Sequence, residues 1–338
     1  MRKNLLVGFI IMGIIFISGC TPKETLNSNT NGVTDNEIVI GSSAALGGEA
    51  GFLGMQLIHG SLAYLNEINA QGGIHGRKIR LISYDDQYEP SKTVANTQEL
   101  INTDKVFALF DYVGTPTTVK IIDLVHQAEI PLLGLYTGAE DLRMPFRPYI
   151  FNVRDSYYSE AEAAISYFVD TLGFKKIAVM FQEDDFGLAV LSGVQLALER
   201  RNMAPVTTDT YVRGTVDVES AMQTIKSSGA EAVVMVGTYR PLAKFIKISQ
   251  DAGFVPYFYS VSFVGLEAFA KELIEKQKVD PSILNRIMVT QVVPSPFSLN
   301  LPCVKEYREL IKKYYPLDEP NSVALEGFIN AKVMVEAL

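Results

Sequence analysis

From Glu37 onward, short runs rich in β-branched residues alternate with segments whose apolar residues recur every three or four positions. The first run covers residues 37–41, and the next segment places apolar residues at 58, 62, 65 and 68, which predicts a helix. A strand, a helix and a second strand form a right-handed unit with parallel strands. The sequence therefore predicts an α/β fold of two doubly wound parallel-sheet lobes joined by a hinge.

The same periodicities locate the other elements. Strands are predicted at residues 77–84, 106–110, 130–135, 176–181, 208–212, 232–236, 257–262 and 287–293. Further helices are predicted at residues 91–102, 117–127, 157–172, 188–201, 218–227, 241–252, 266–276, 304–314 and 323–338. A second series of units begins after residue 155, and we expect the chain to return to the first lobe near 287. Lobe 1 is thus predicted at residues 37–155 and 287–338, and lobe 2 at residues 156–286.

Residues 1–19 have the pattern of a signal peptide. Arg2 and Lys3 precede an apolar run at 5–17 that is too short to span a bilayer, and small residues lead to Cys20. The segment resembles a bacterial lipoprotein signal, in which cleavage falls before Cys20 and its thiol is lipidated. Residues 20–36, rich in Thr, Asn, Ser and Gly, predict a flexible tether. An uncleaved signal anchor is the alternative.

These features predict an extracytoplasmic lipoprotein, held to a membrane in the periplasm or at the outer cell surface. Removal of Arg2 and Lys3 takes the formal charge from −8 to −10, which argues against nucleic acid or an anionic lipid surface as the main partner. If Cys20 carries lipid, Cys303 has no intramolecular disulfide partner. Cys303 is then most simply a buried, inert thiol.

Several short motifs follow one another in a characteristic order. They are GGIHGR at 72–77 with Asp85, Asp86 and Pro90, GTPTT at 114–118, TGA at 137–139, FNVR at 151–154, DDFG at 184–187 and YSVSFVG at 259–265. The set resembles type I periplasmic solute-binding proteins of the branched-chain amino acid ABC transporter class. The resemblance spans residue 37 to the C-terminus.

The resemblance implies a function. In this family two lobes close on a small solute, and a membrane permease with its ATPase subunits recognises the closed form, which imports the solute without catalysis. For this chain it implies a monomer that binds an amino acid or related organic acid, uses no cofactor and is not an enzyme. A ligand-sensing receptor acting with a separate signalling partner is the alternative, and an extracytoplasmic enzyme is a third hypothesis.

The resemblance also implies the ligand contacts. The lobe 1 contacts lie in loops that follow strands, where hydroxyls and backbone amides hold the ligand carboxylate. Lobe 2 adds two aromatic contacts and one position that carries a carboxylate for the ligand ammonium in leucine-type relatives. The implied residues are Phe52, Tyr112, Gly114, Thr115, Tyr136, Thr137, Phe186, Tyr239 and Ser262.

Two of these residues depart from the family pattern. Gly114 stands where relatives often have serine, and Thr115 is expected to compensate for that hydroxyl. Ser262 stands at the carboxylate position, and an ammonium buried without an anionic partner is costly. Either another acid reaches the ligand, with Glu183, Asp184 and Asp111 as candidates, or the ligand lacks an amine. The alternative for Asp184 is a helix cap.

Other patterns carry weaker signals. His59, His75 and His126 have no metal-ligand spacing, so no metal site is predicted. The Asp85 and Asp86 pair is more simply explained as a cap of the following loop than as a metal site. The arginines at 143, 147 and 154 are interpreted as hinge-side or surface residues. Relatives continue for some tens of residues past the last predicted helix, so the resemblance implies a partial or shortened chain.

Overall fold

Two five-stranded sheets form the framework of the protein. A computed structural model describes residues 30–338, so the predicted signal, Cys20 and most of the predicted tether lie outside the described residues. The first sheet contains β1 Glu37–Ala44, β2 Lys78–Asp85, β3 Ala108–Phe110, β4 Leu132–Leu133 and β5 Ile150–Phe151. The second contains β6 Ile177–Gln182, β7 Thr207–Tyr211, β8 Ala232–Val236, β9 Tyr257–Ser260 and β10 Ile287–Val289.

The two sheets have the same topology. Their strand orders are β2-β1-β3-β4-β5 and β10-β9-β8-β6-β7, and the paired strands are parallel. Read in reverse, the second order is β7-β6-β8-β9-β10, which matches the first order with β6 in the place of β1. The predicted doubly wound α/β class is confirmed, and each lobe has its switch in strand order beside its first strand.

Helices cover the faces of both sheets. Lobe 1 carries α1 Gly51–Ala70, α2 Pro90–Asn102, α3 Thr115–Thr118, α4 Ile122–Ala128, α10 Pro302–Tyr314 and α11 Ser322–Ala337. Lobe 2 carries α5 Tyr157–Ile165, α6 Asp185–Glu199, α7 Glu219–Ser227, α8 Tyr239–Asp251 and α9 Leu266–Lys271. In α8, Leu242, Phe245 and Ile246 are buried at helical spacing, which holds one face on the sheet. Among residues 30–338, no helix has the length and apolar character to cross a bilayer.

The predicted helix at 117–127 is interrupted. It appears as α3, a 3-10 turn at Val119–Ile121 and α4. The hydroxyls of Thr117 and Thr118 both donate to the Gly114 carbonyl, at 2.9 and 2.6 Å. Such local side-chain bonds compete with regular helical hydrogen bonding, which accounts for the irregular first turn.

The return from lobe 2 to lobe 1 falls later than the predicted boundary at 286. β10 pairs with β9, with Met288 opposite Tyr259, and therefore belongs to the second sheet. The strand ends at Val289 rather than at residue 293. The chain then leads to α10 and α11, which pack on α1 in lobe 1. Apolar periodicity does not reveal which strands pair, because strand pairing joins residues that are far apart in the sequence.

Helices α1 and α11 touch through their backbones. A Cβ atom added to Gly60 would lie 1.8 Å from the Ala324 carbonyl oxygen, and one added to Gly327 would lie 2.0 Å from the Leu57 carbonyl oxygen. Glycine at both positions lets the helices approach more closely than side chains allow. This contact attaches the C-terminal helix to lobe 1.

We predict that Gly60→Ala lowers the free energy of unfolding by about 1–3 kcal/mol, because the added methyl group forces the two backbones apart. Urea denaturation of both proteins measures the change. Gly51→Ala is the control, because its nearest neighbour would be 3.5 Å away. We expect that control to change stability by no more than about 0.5 kcal/mol. Equal stability of Gly60→Ala and the parent chain would contradict the close contact.

Candidate functional site

Loops that follow the strands of one sheet contact loops that follow the strands of the other. Arg213, after β7, donates from Nη1 to the carbonyl of Tyr88, after β2, at 2.5 Å. The Tyr136 hydroxyl, after β4, lies 3.5 Å from the Ser262 carbonyl, after β9. Ligands of doubly wound folds bind beyond the carboxyl ends of the strands. The boundary between the lobes is therefore the candidate ligand-binding cleft.

Five buried aromatic rings, here named the cleft cluster, pack together at this boundary. The Phe263 ring centroid lies 4.6 Å from that of Phe186, 5.4 Å from that of Tyr136 and 6.1 Å from that of Tyr88. Tyr157 joins through Phe186, at 5.4 Å between ring centroids. Tyr88 and Tyr136 belong to lobe 1 and the other three to lobe 2. The two lobes thus bury one shared apolar surface, which favours their closed arrangement.

Sequence reasoning identifies Tyr136 and Phe186 but misses the other three members of the cluster. The missed residues lie within or next to motifs that the sequence does show. Phe263 follows Ser262, Tyr157 lies just after the FNVR segment, and Tyr88 follows the Asp85 and Asp86 pair. Their proximity to these motifs is the sequence feature that could have identified them as cleft residues.

The predicted contacts Thr115 and Thr137 lie together in lobe 1. Their Oγ1 atoms are 2.7 Å apart, and the Ala139 amide donates to Thr137 Oγ1 at 3.3 Å. The Tyr157 amide donates to the Gly138 carbonyl at 2.8 Å. This bond brings the start of α5 in lobe 2 against the loop that carries Thr137, so the threonine pair adjoins the cleft cluster.

Gly114 provides the space for the Tyr88 ring. Its φ is +95°, and an added Cβ would lie 2.2 Å from Tyr88 Cε2. A serine, which the family resemblance leads one to expect here, therefore has no room. The tyrosine ring takes the place that a serine side chain would fill.

We predict that Gly114→Ser lowers the free energy of unfolding by about 1–3 kcal/mol beyond the effect of Gly173→Ser. Gly173 has φ of +75° with no atom within 4 Å of an added Cβ, so its substitution carries the backbone strain without the collision. Thermal denaturation of the two variants measures the difference. Equal losses of Tm in the two variants would show that the Tyr88 ring moves aside without an energetic penalty.

Tyr112 points away from the cleft cluster. Its hydroxyl lies 2.9 Å from Thr97 Oγ1 in α2, and both side chains are buried in lobe 1. Its carbonyl accepts a hydrogen bond from the Tyr136 amide at 2.8 Å. Tyr112 thus supports the loop that carries Tyr136, and a contact between its own side chain and a ligand stays a prediction.

Phe52 and Tyr239 meet elsewhere on the boundary between the lobes. Their ring centroids are 6.5 Å apart in an edge-to-face arrangement. Both line a groove of about 890 Å³, together with Glu267 and Asp318, whose lining includes none of the cleft cluster. The structure thus brings Thr115, Tyr136, Thr137 and Phe186 near one another and sets this pair apart.

Ser262 lies in a buried polar network at the hinge end of the cleft. Its amide and hydroxyl donate to the two carboxylate oxygens of Glu160, at 2.7 and 2.9 Å. Arg154 Nη2 donates to Ser262 Oγ at 2.6 Å, and Arg154 Nε lies 3.2 Å from Glu326 Oε1. The guanidinium carbon is 4.5 Å from the Tyr136 ring centroid. The sequence left Arg154 as a hinge-side or surface residue; its side chain is buried, which excludes the surface alternative, and both glutamates were missed.

The acids that the sequence offered as ammonium partners have other roles. Asp184 Oδ1 accepts from the amides of Phe186 and Gly187, at 3.0 and 3.2 Å, which confirms the alternative of a helix cap. Asp111 is buried in lobe 1 and accepts from Asn330 Nδ2 at 2.8 Å. Glu183 is exposed.

Asp85 and Asp86 are also engaged with the neighbouring loops, as predicted. Asp85 Oδ1 accepts from three amides, those of Leu46, Gly47 and Gln87. Asp86 accepts from the Tyr88 amide at 2.9 Å and from the Ser43 hydroxyl at 2.8 Å. Both carboxylates therefore fix the loop that delivers the Tyr88 ring to the cleft.

Glu326 has an unusual protonation equilibrium. Burial raises its pKa to about 7, Arg154 opposes the rise, and the negative charge of Glu160 adds to it. The carboxyl therefore exchanges its proton near neutral pH, whereas an ordinary glutamate does so near 4.5. A raised folded-state pKa stabilises the fold fully below the ordinary value, and the contribution is lost as pH rises through 7.

We predict that Glu326→Gln removes this pH dependence. The free energy of unfolding of the variant, relative to that of the parent chain, should rise by about 1–3 kcal/mol between pH 5 and pH 8. Urea denaturation of both proteins at the two pH values measures the change. A difference that stays constant with pH would contradict the raised pKa.

Arg213 lies at the outer rim of the cleft. Its Nη2 donates to Glu89 Oε2 of lobe 1 at 3.0 Å, and its Nε lies 3.8 Å from Asp184 Oδ2. It borders an opening of about 210 Å³ that is also lined by Tyr88 and Gln182. At another point on the rim, Arg240 Nη1 donates to Glu49 Oε1 at 3.0 Å. These bonds join the lobes where solvent reaches the cleft.

His59 and Cys303 pack against other side chains of the protein. His59 Nδ1 lies 2.6 Å from Asp318 Oδ2, and the ring stacks on Tyr315 at 4.1 Å between centroids. Among residues 30–338, His, Cys, Asp and Glu form no group of three or more that could hold a metal ion. Cys303 is half-buried, and burial raises the pKa of its thiol, which keeps it protonated.

Two doubly wound lobes that face each other with their strand ends define a bilobal ligand-binding protein of type I. The chain belongs to the periplasmic binding protein family, whose model matches residues 37–338. It is similar to the crystal structure of a possible leucine/isoleucine/valine-binding protein from Rhodopirellula baltica SH 1, at 32% identity and a TM-score of 0.82. That match covers 92% of this chain and 82% of the other.

Two sequence relatives carry names that refer to amino acids, and one of them names the branched-chain class. An amino acid binding protein of Pseudomonas aeruginosa is 26% identical over 226 residues, which cover 66% of this chain and 60% of that protein. The Leu/Ile/Val-binding protein homolog 7 of Brucella abortus is 22% identical over 89% of this chain and 77% of its own length. The match to the Pseudomonas protein thus spans less than two thirds of that relative. The chain is a solute-binding protein of the Leu/Ile/Val type.

Proposed function

We propose that this chain is the solute-binding lipoprotein of an ABC importer and captures a small carboxylate-bearing solute between its lobes. The observation that carries the proposal is the cleft cluster, in which rings from both lobes meet beside the Thr115 and Thr137 hydroxyls. Apolar rings suit the body of a small solute, and hydroxyls suit its carboxylate. The names of the relatives, which refer to amino acids, support the same class of ligand.

Closure of the lobes is the proposed binding step. The rings of the cleft cluster are in mutual contact, so a solute reaches Thr115 and Thr137 when the lobes separate. A solute that touches both lobes stabilises the closed form by its preference for that form over the open one. No step of this cycle needs a catalytic group or a cofactor, and we therefore propose a binding protein rather than an enzyme.

The partners follow from the family and from the predicted signal. We propose that the closed protein, as a monomer, docks on a membrane permease coupled to ATPase subunits. Lipid on Cys20 and the tether at 20–36 would keep it near that permease and raise its effective concentration there. Cys20→Ser should release the protein from the membrane fraction of cells. Retention of that variant in the membrane would contradict the anchor.

Two measurements on the purified protein test solute capture. Mass spectrometry under denaturing conditions should release a small carboxylate from protein that was purified under native conditions. Small-angle X-ray scattering should show a smaller radius of gyration after that compound is added to ligand-free protein. A chain that retains no compound, and whose radius of gyration does not change with any carboxylate, would contradict the proposal.

We predict that Arg213→Ala weakens solute affinity about tenfold, because a hydrogen bond to a charged group is worth roughly 1.5 kcal/mol and these bonds form only in the closed state. Isothermal titration calorimetry with the released solute measures the change. Arg200→Ala is the control, because Arg200 pairs with Glu162 on the surface of lobe 2. Unchanged affinity in Arg213→Ala would exclude a role for this contact in closure.

A further inference from the structure

Three acids beside the cleft, Asp86, Asp184 and Glu160, accept several hydrogen bonds from other groups of the protein. Asp86 accepts from Ser43, Thr93 and the Tyr88 amide, and Asp184 accepts from Gln182 and two amides of α6. Glu160 accepts from the Ser262 amide, the Ser262 hydroxyl and the Thr290 hydroxyl. These carboxylates have little capacity left for a ligand cation.

Three acid oxygens in this region lack a hydrogen-bond partner among residues 30–338, and they are Glu49 Oε2, Glu140 Oε2 and Glu326 Oε1. All three acids nevertheless interact with arginines. Arg240 Nη1 donates to Glu49 Oε1 at 3.0 Å, and Glu326 Oε1 lies 3.2 Å from Arg154 Nε. The charge of Glu140 favours the charged form of Arg143. A ligand ammonium at any of these acids would compete with a guanidinium that is already present.

Two phenol oxygens from opposite lobes are buried without a partner. Tyr88 comes from lobe 1 and Tyr157 from lobe 2, and within the described part of the chain neither Oη atom makes a hydrogen bond of good distance and angle. Two nearby polar side chains, Gln182 beside Tyr88 and Thr137 beside Tyr157, are close enough to lower the pKa of each phenol but do not complete a hydrogen bond. Tyr88 is 4% exposed and Tyr157 is fully buried. Buried polar groups without partners are rare in folded proteins and call for an explanation. A ligand that accepts hydrogen bonds from both hydroxyls supplies such an explanation.

Both phenols are protonated at neutral pH and so are donors. Burial raises the pKa of Tyr157 to about 12, and burial raises the pKa of Tyr88 well above its usual range. The Tyr88 ring lies against Gly114, next to Thr115, and the Tyr157 hydroxyl is close enough to the Thr137 side chain for the threonine to lower the pKa of the phenol. The cleft therefore gathers four hydroxyls, those of Tyr88, Thr115, Thr137 and Tyr157.

We infer that the solute is a monocarboxylate with an apolar body and no ammonium group, and that Tyr88 and Tyr157 donate to its carboxylate from the two lobes. A carboxylate accepts hydrogen bonds only, which matches a group of hydroxyl donors. An ammonium needs acceptors or an anion, and the nearby carboxylates are bonded elsewhere. This inference rests on the proposed function and narrows its class of solute.

Paired ligands test the class of solute by isothermal titration calorimetry. Leucine is compared with 4-methylpentanoate and 4-methyl-2-oxopentanoate, and phenylalanine with 3-phenylpropanoate. We expect at least one compound without the amine to bind ten times more tightly than its amino acid. Equal or tighter binding of the amino acids would overturn this inference and leave solute capture intact. No binding by any of these compounds would overturn this inference, and the proposed function would fail with it if the natively purified protein also retains no carboxylate.

Two substitutions test the donors. Tyr88→Phe and Tyr157→Phe should each weaken binding of the preferred carboxylate about tenfold. Neither should lower Tm by more than the control does, because each removes a buried hydroxyl that completes no hydrogen bond within the described protein. Tyr167→Phe, at an exposed position of lobe 2, is the matched control and should change neither quantity. Unchanged affinity in both cleft variants, or a loss of affinity that follows a loss of Tm, would overturn the assignment.

Discussion

The closed arrangement of the protein depends on one buried cation, Arg154. Its side chain is 1% exposed and lies in the segment that leads from β5 to α5. It pairs with Glu326 of lobe 1, donates to Ser262 of lobe 2 and covers the Tyr136 ring. Removing an ion from water costs several kcal/mol unless close partners offset the loss. Because these partners belong to both lobes, the charge favours the form in which the lobes meet.

The contacts change in character from the hinge to the outer rim. At the hinge the charges are buried, whereas at the rim the Arg240 and Glu49 side chains are 44% and 37% exposed. Exposed ion pairs contribute at most about 1 kcal/mol, while breaking a buried pair costs several times more. The rim contacts are therefore less costly to break than those of the hinge network. Such a gradient suits a protein that must open for its solute and close again.

Local interactions were predictable from the sequence, and non-local ones were not. The alternation of strands and helices follows from apolar periodicity, and the Asp184 cap follows from bonds to residues two and three positions away. The pairing of β10 with β9 involves no local pattern. The contact between Glu160 and Ser262 was not predictable, because the two residues are 102 positions apart in the sequence. The Tyr88 ring fits in its place because Gly114 has no side chain. The absence of a side chain leaves no trace in the apolar periodicity of the sequence.

Gly114 and Ser262 are the two departures from the family pattern, and the structure gives them related explanations. At Gly114 the space for a small hydroxyl is filled by a phenol from a neighbouring loop. At Ser262 the place of a carboxylate is occupied by a hydroxyl that already bonds Glu160 and Arg154. When Glu326 is protonated, the charges of Arg154 and Glu160 at the hinge end balance each other. Both departures leave the fold unchanged, because the loop after β2 supplies Tyr88 at Gly114 and helix α5 supplies Glu160 at Ser262.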